Sequence, residues 1–142
     1  GYHVVVPLDR SADYDEVRDF ARDAALVLVR RQQDRYTLEI RKNKRTGRVF
    51  LDVLRNAYGA SAVAPYAIRA RPGAPVATPI EWEELEAGVG PRDFSVTSIP
   101  ARLEEKGDPW AQMLRRARSL RPRRRKLDRL LAHEEQAEEE KD

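Results

Sequence analysis

The stretch GRVFLDVLRN, residues 47–56, carries a carboxylate, Asp52, between large apolar side chains. The β-branched and aromatic residues ahead of the acid predict a buried strand over residues 48–54, after a turn at Thr46-Gly47. A carboxylate that such neighbours desolvate is unstable unless a cation or hydrogen-bond donors hold it. The residues alone leave two hypotheses open. Asp52 forms a structural ion pair with Arg55, which the spacing alone favours, or it holds a metal ion beside phosphate-binding groups.

Length and composition are those of one small domain. The chain has 142 residues, of which 41% are hydrophobic, enough for one modest core. It contains no run of 18 apolar residues and no charged, hydrophobic leader, so we expect a cytoplasmic protein with no membrane partner. The absence of cysteine excludes disulfides, and His3 and His133 lie too far apart for a local zinc motif. Any metal would be held mainly by oxygen, which favours Mg²⁺ or Mn²⁺.

Charge is segregated at the carboxyl end of the chain. Nine of the fifteen residues 115–129 are Arg or Lys, and six of the nine residues 134–142 are acidic. One hypothesis is a basic segment that binds nucleic acid, with an acidic tail that competes for it. The alternative is a docked helix whose charges face solvent and whose apolar contacts are Leu120, Leu127, Leu130 and Leu131.

The order of periodic segments predicts an α+β fold with a mixed or antiparallel sheet and flanking helices. We predict a strand over residues 2–6 and an amphipathic helix over residues 13–32, which begins with a capping-box-like pair, Asp13 and Glu16. Residues 36–45 are compatible with a helix or a strand, and we favour a helix.

Prolines are frequent in the second half of the chain and limit the secondary structure predicted there. They predict extended segments over residues 60–82, then a short helix that Gly88 ends and another extended piece over residues 93–103. Asp108 and Pro109 predict the start of a helix over residues 108–120, which Pro122 ends or kinks.

Three stretches together resemble a known family. They are GYHVVVPL at residues 1–8, the long KRTGRVFLDVLRNAYGASAVAPYAIRARPGAPVATPIEWEEL at residues 44–85, and DFSVTSIPARLEEKGDPW at residues 93–110. These resemble the second half of the polymerase domain of bacterial ATP-dependent DNA ligase D, in the archaeo-eukaryotic primase superfamily. At greater distance the chain is similar to the small catalytic subunit of DNA primase. The resemblance implies the C-terminal part of a primase-polymerase domain over residues 1–120, followed by a basic-then-acidic tail over residues 121–142.

The resemblance also implies roles for individual residues. Asp52 matches a catalytic, metal-binding carboxylate, and Arg45 and Arg71 match positions near DNA, although exposed loop cations are as common there. The residues that match nucleotide-binding positions are His3, Arg55, Asn56 and Arg69. Without the family, His3 would be interpreted as a half-buried strand histidine with an ordinary hydrogen bond.

Two departures from the family pattern limit what we expect of this chain. The family's Asp-x-Asp motif, whose carboxylates bridge two metal ions, is missing, and the Asp13-Tyr14-Asp15 sequence follows His3 and is explained by helix capping. The chain also begins without Met, like a piece of something longer. We therefore expect half of a polymerase site, inactive alone.

The expected function is end filling or extension in non-homologous end joining by two-metal phosphoryl transfer with Mn²⁺ or Mg²⁺. The expected partners are DNA ends, nucleoside triphosphates, the N-terminal half of the domain and, from the family, ligase or nuclease modules and Ku, in the cytoplasm at the nucleoid. Two alternatives remain: a non-catalytic nucleic-acid-binding module, and the structural half of a split polymerase.

Overall fold

The computed structural model describes residues 1–139, with side chains to residue 136, and divides into two compact units. The helical unit comprises Leu8–Ser61 and Arg118–Asp142, and the hairpin unit comprises Gly1–Pro7 and Ala62–Ala117. In the described part of the chain, no helix is long and apolar enough to cross a membrane.

The first helix of the helical unit, α1, runs over Tyr14–Arg31. Its start is a complete capping box, because the Glu16 N–H donates to the Asp13 carboxylate at 2.8 Å and the Asp13 N–H donates to the Glu16 carboxylate at 2.9 Å. Acidic residues occupy its first turn and Arg30 and Arg31 its last, as the helix dipole favours. The predicted helix over residues 13–32 is confirmed.

A second long helix, α4, runs over Arg121–Glu139 and packs against α1. Leu120 and Leu127 are buried on its side of this contact, and Ala25 and Val27 are buried on α1. The docked helix of the second hypothesis is therefore observed in the described residues, although Arg124, Glu134 and Glu135 pair with residues of α1 instead of facing solvent. Residues 140–142 of the predicted acidic tail lie outside the described residues. The predicted helix end or kink at Pro122 is wrong. This residue occupies the first turn of α4, where the missing N–H breaks no helical hydrogen bond.

A small parallel sheet completes the helical unit. Strand β1, Tyr36–Thr37, pairs with β2, Val49–Phe50. The predicted helix over residues 36–45 is wrong, since this segment forms β1 and then a 3₁₀ turn at Lys42–Lys44. Its apolar residues alternate around a buried Thr37, which suits a strand. Of the strand predicted over residues 48–54, only Val49–Phe50 is regular, and Val49 is exposed.

The hairpin unit is built from extended segments and two short helices. Antiparallel bridges join Ile68 to Val76 and Pro75 to Ser95, and α2 runs over Trp82–Glu86. These elements confirm the extended residues 60–82 and the short helix before Gly88.

Two predictions for the hairpin unit are wrong. The segment 93–103 is not all extended, because α3 begins at Ile99 and runs over Ile99–Lys106 with Pro100 in its first turn. Residues 108–120 form turns and a 3₁₀ helix, Met113–Arg116, rather than an α-helix. The carboxylate of Asp108, the predicted N-cap, instead accepts a hydrogen bond from the distant Tyr66 hydroxyl at 2.6 Å.

The predicted strand over residues 2–6 is also wrong as a paired strand. Within the described residues 1–139, none of its backbone groups forms a backbone hydrogen bond. The side chains of Tyr2, Val4, Val5 and Val6 are all exposed. A run that is apolar on both faces needs neighbours on both faces, and the described chain supplies no strand partner, although the Tyr2 hydroxyl donates to the Val89 carbonyl oxygen at 2.6 Å. The α+β class is confirmed, and the domain boundary at residue 120 stays a prediction.

Candidate functional site

Asp52 lies in the loop that follows β2 in the helical unit, and its side chain is exposed. The Leu54 N–H donates to its Oδ1 at 3.1 Å, which fixes the carboxylate in a local turn. Among the described residues, no cation forms an ion pair with Asp52, so the hypothesis of a structural pair with Arg55 is wrong. The loop thus presents a charged oxygen ligand to solvent instead of burying it.

The turn after Asp52 carries two of the predicted nucleotide-binding residues. Asn56 closes the turn, because its backbone N–H and its Nδ2 both donate to the Val53 carbonyl oxygen, at 3.2 and 3.0 Å. Arg55 is exposed and, in the described part of the chain, has no hydrogen bond or ion pair from its side chain. The Asn56 side chain therefore stabilises the turn, while the neighbouring Arg55 guanidinium is available to bind an anion.

The Arg45 side chain makes structural contacts within the helical unit. Its guanidinium donates to the carbonyl oxygens of Glu39 and Ile40, at 2.9 and 2.7 Å, and lies 4.0 Å from the centre of the Phe50 ring. These contacts tie the loop before the 3₁₀ turn to β2. A role for Arg45 near DNA stays a prediction, and this guanidinium already uses several of its donors.

The two remaining predicted arginines lie at the start of a tight turn in the hairpin unit. The Ala74 N–H donates to the Arg71 carbonyl oxygen at 2.8 Å, with Pro72 and Gly73 between them and a φ of 83° at Gly73. This is the pattern of a type II turn, in which the glycine accepts the positive φ. The Arg69 N–H donates to the Pro75 carbonyl oxygen at 2.8 Å, so the turn holds Arg69 half-buried and Arg71 exposed at its tip.

His3 lies in the same hairpin unit, within the extended segment whose backbone is unpaired, and its side chain is exposed. It forms no hydrogen bond within the described residues, which contradicts the interpretation as an ordinary half-buried strand histidine. The predicted site residues thus fall into two sets. His3, Arg69 and Arg71 belong to the hairpin unit, and Arg45, Asp52, Arg55 and Asn56 belong to the helical unit.

The described donors do not fit a two-metal centre. Among residues 1–139, no three His, Asp or Glu side chains cluster in a way that could hold a metal ion. Asp52 offers a single carboxylate, and one negative charge does not offset the repulsion between two divalent cations.

The hairpin unit also contains an ion-pair cluster, formed by Glu84, Arg102 and Lys106, that the sequence did not predict. Arg102 of α3 donates to both carboxylate oxygens of Glu84 on α2, at 2.5 and 2.6 Å, and to the Pro79 carbonyl oxygen at 3.2 Å. Lys106 also donates to Glu84, at 3.2 Å. The hydrogen bonds from Arg102 lower the pKa of Glu84 to about 2. The two members of the pair lie 18 residues apart, so no local spacing marks them.

A second pair holds the carboxyl side of the hairpin unit. The Tyr66 hydroxyl donates to Asp108 Oδ1 at 2.6 Å, and the Trp110 N–H donates to the same oxygen at 3.0 Å. Burial and the neighbouring carboxylate raise the pKa of Tyr66. Asp108, predicted as a helix N-cap, thus organises a turn.

Comparison with known proteins adds independent information. Residues 1–110 match the family model described as the LigD primase-polymerase domain. A multifunctional non-homologous end joining protein LigD from Pseudomonas aeruginosa is 42% identical over 113 residues, which cover 78% of this chain and 14% of that protein. The corresponding LigD of Mycolicibacterium smegmatis is 32% identical over 80% of this chain and 15% of its own length.

A solved structure is also similar. The polymerase domain of Mycobacterium tuberculosis ligase D, in complex with DNA, matches with a TM-score of 0.71 and 28% identity, over 78% of this chain and 38% of that domain. The chain therefore spans a small part of the curated relatives and less than half of the solved polymerase domain. Residues 111–142 lie outside the family match.

Proposed function

The chain belongs to the LigD primase-polymerase domain family, and from this premise we propose that it forms part of a DNA repair polymerase. That enzyme is a nucleotidyltransferase that fills or extends DNA ends in non-homologous end joining. The observation that carries the proposal is the family match over residues 1–110. Asp52 lies within this range, is exposed, and is the residue that resembles a catalytic carboxylate of the family.

Asp52 is the metal-binding carboxylate that the described residues contribute, and Mn²⁺ or Mg²⁺ is the cation that an oxygen ligand of this kind favours. Its exposure and the hydrogen bond from the Leu54 N–H support this role, because the carboxylate is oriented but not neutralised by a cation of the described chain. The further carboxylates of a two-metal reaction come from outside the described residues.

The cations of the chain bind phosphate. Arg69 and His3 contact the triphosphate of the incoming nucleotide, and Arg55 and Asn56 complete the nucleotide contacts. A guanidinium fits phosphate oxygens in a bidentate manner, and the turn that holds Arg69 reduces the entropy lost on binding. Arg71 and Arg45 contact the DNA backbone, with Arg45 also retaining its structural contacts.

The unpaired segment 2–6 supports the view that the chain acts together with the rest of a polymerase domain. Its exposed apolar side chains and free backbone groups are suited to pairing with a strand. The match leaves 62% of the similar polymerase domain uncovered, and that remainder is the complement we propose. Ligase and nuclease modules and Ku are further proposed partners of the assembled enzyme, in the cytoplasm at the nucleoid.

The test combines the purified chain with the uncovered part of the Pseudomonas aeruginosa LigD polymerase domain. We expect a complex that extends a primer on gapped duplex DNA with Mn²⁺ and nucleoside triphosphates, whereas the chain alone gives no extension. Asp52→Ala abolishes extension, and the matched control Asp34→Ala, at another exposed carboxylate, does not. Arg69→Ala raises the apparent KM for nucleotide. Robust extension by the chain alone, or normal turnover of the Asp52→Ala complex, overturns the proposal.

A further inference from the structure

The exposed side of α4 carries a row of cations near its start, of which Arg125 also lines the pocket that Glu16, Asp19 and Asp23 border. Arg125 and Arg129 are four residues apart, so successive turns place them about 6 Å apart along the axis, and Lys126 lies beside them. All three side chains are exposed. We call Arg125, Lys126 and Arg129 the basic row. It lies outside the residues that the family model matches.

No carboxylate within the described side chains forms an ion pair with any member of the basic row. Within residues 1–136, whose side chains are described, Arg129 donates only to the Arg125 carbonyl oxygen, at 3.3 Å. The neighbouring Arg124 is the contrast, because it is bound by Asp23 of α1 at 2.7 Å and by Asp128 at 2.5 Å. The helix thus uses Arg124 for docking and leaves the row to solvent.

This arrangement is unfavourable for the helix itself. The first turn of α4 has no acidic residue and its last turn has no basic one, while cations crowd the positive end of the dipole. Arg125 and Arg129 also repel each other at i, i+4 spacing. Helix α1 in the same unit has the opposite and favourable order, with acids first and Arg30 and Arg31 last. The charge order of α4 therefore opposes its own stability, and a bound polyanion would relieve the repulsion.

The acidic half of α4 has its own partners. Glu134 accepts from Arg31 at 2.7 Å, and Glu135 lies 3.7 Å from Arg30. Both arginines belong to the last turn of α1. These two acids anchor the helix to α1, so they are not the free competitors of phosphate that the sequence suggested.

We infer that the basic row binds the sugar-phosphate backbone of duplex DNA, as a contact additional to the polymerase site. Lys and Arg that are exposed, unpaired and aligned along a helix neutralise phosphates and release counterions, without reading sequence. The inference rests on the proposed function only in the choice of DNA as the polyanion.

Fluorescence anisotropy of the full 142-residue chain with a labelled mixed-sequence duplex, across a salt series, tests the inference. The variant Arg125→Gln/Lys126→Gln/Arg129→Gln keeps good helix formers at all three positions. We expect at least a roughly tenfold loss of affinity near 0.1 M salt, and a salt slope smaller by about two to three, since each phosphate contact contributes about 0.9. The control Arg22→Gln/Arg35→Gln/Arg92→Gln removes the same charge from exposed positions elsewhere and should stay within about twofold of the unmodified chain.

Thermal unfolding without DNA supplies the second readout. Because Arg125 and Arg129 repel each other at i, i+4 spacing, the triple variant should unfold at a higher temperature than the unmodified chain while binding DNA less tightly. Equal DNA affinity and slope for the triple variant and the control overturn the inference, as does tighter binding of a duplex RNA of equal length. Neither measurement needs primer extension, so a failure here is distinct from a failure of the proposed polymerase function.

Discussion

Arg102 and Glu84 form a bidentate ion pair that joins α3 to α2, with the guanidinium 9% and the carboxylate 13% exposed. Arg102 has further contacts, because it also lies 4.7 Å from the centre of the Phe94 ring and donates to the Pro79 carbonyl oxygen, while its Nε–H has no hydrogen-bond partner among the described residues. Such a pair stabilises the fold little more than a well-packed apolar contact would, but removing one partner leaves the other charge buried without a counterion. The hairpin unit, which carries Arg69 and Arg71, depends on this pair for the position of its helices.

Glu84→Gln should therefore destabilise the protein by about 2–4 kcal/mol, since the amide removes the charge and leaves Arg102 without its counterion. The measurement is the free energy of unfolding in urea at neutral pH. Glu83→Gln is the matched control on the same helix, since Glu83 is exposed, and it should change stability by less than about 0.5 kcal/mol. Equal effects of the two substitutions would contradict the structural role of the pair.

The same carboxylate predicts how stability depends on pH. Hydrogen bonds from Arg102 hold the pKa of Glu84 at about 2, below its ordinary value of 4.5. A lowered folded-state pKa stabilises the fold above the unfolded pKa, and that stabilisation is lost as pH falls through the folded value. The unmodified chain should lose stability between about pH 4.5 and pH 2, and Glu84→Gln should lose less over this range. Parallel pH profiles for the two proteins would contradict the assignment.

Tyr66→Phe should lower stability by about 1–2 kcal/mol, because Asp108 loses the hydroxyl that donates to it at 2.6 Å. Tyr58→Phe is the control, since Tyr58 is 85% exposed, and it should be nearly neutral. Urea unfolding of both variants provides the comparison. A Tyr66→Phe protein as stable as the control would show that the hydrogen bond contributes little.

Local signals in the sequence predicted the elements that depend on neighbouring residues. The Asp13 and Glu16 pair predicted the start of α1, and the apolar spacing that followed predicted its length, because capping and amphipathicity act within a few turns. The prolines between residues 60 and 82 excluded a helix there for the same kind of reason.

The failures involve contacts that are distant in sequence or missing from the described chain. The segment 2–6 has the composition of a strand, but a strand needs a partner, and residues 1–139 offer it none. The predicted helix after Asp108 gave way to turns because that carboxylate binds Tyr66, 42 residues away. The Glu84 and Arg102 pair was not predicted for the same reason, because its members are distant in sequence.

For the candidate site, the resemblance supplied the residues and the structure supplied their surroundings. The sequence spacing favoured an ion pair between Asp52 and Arg55, because the flanking apolar residues predicted a buried strand in which the carboxylate would need a cation. The structure instead ends β2 at Phe50 and leaves both side chains exposed. The spacing failed because burial is a property of the whole fold.

Asp52→Asn should separate the chemistry of this residue from its effect on the fold. The asparagine oxygen still accepts from the Leu54 N–H, so the free energy of unfolding should change by less than about 0.5 kcal/mol. Extension by the complex described above should nevertheless be lost, because a neutral amide is a weak ligand for a hard divalent cation. A large loss of stability in urea would instead give Asp52 a structural role.

The contact between α1 and α4 provides the last prediction, because it decides whether the carboxyl-terminal segment is a docked part of the fold. Leu127 is 6% exposed in this contact, so Leu127→Ala removes buried methyl groups and leaves a cavity. The cost should be about 2–4 kcal/mol in the free energy of unfolding. Leu114→Ala is the matched control, since Leu114 is 78% exposed, and it should change stability by less than about 0.5 kcal/mol. If both variants unfold at the same urea concentration as the unmodified chain, α4 does not dock in solution. The basic row would then belong to a free tail.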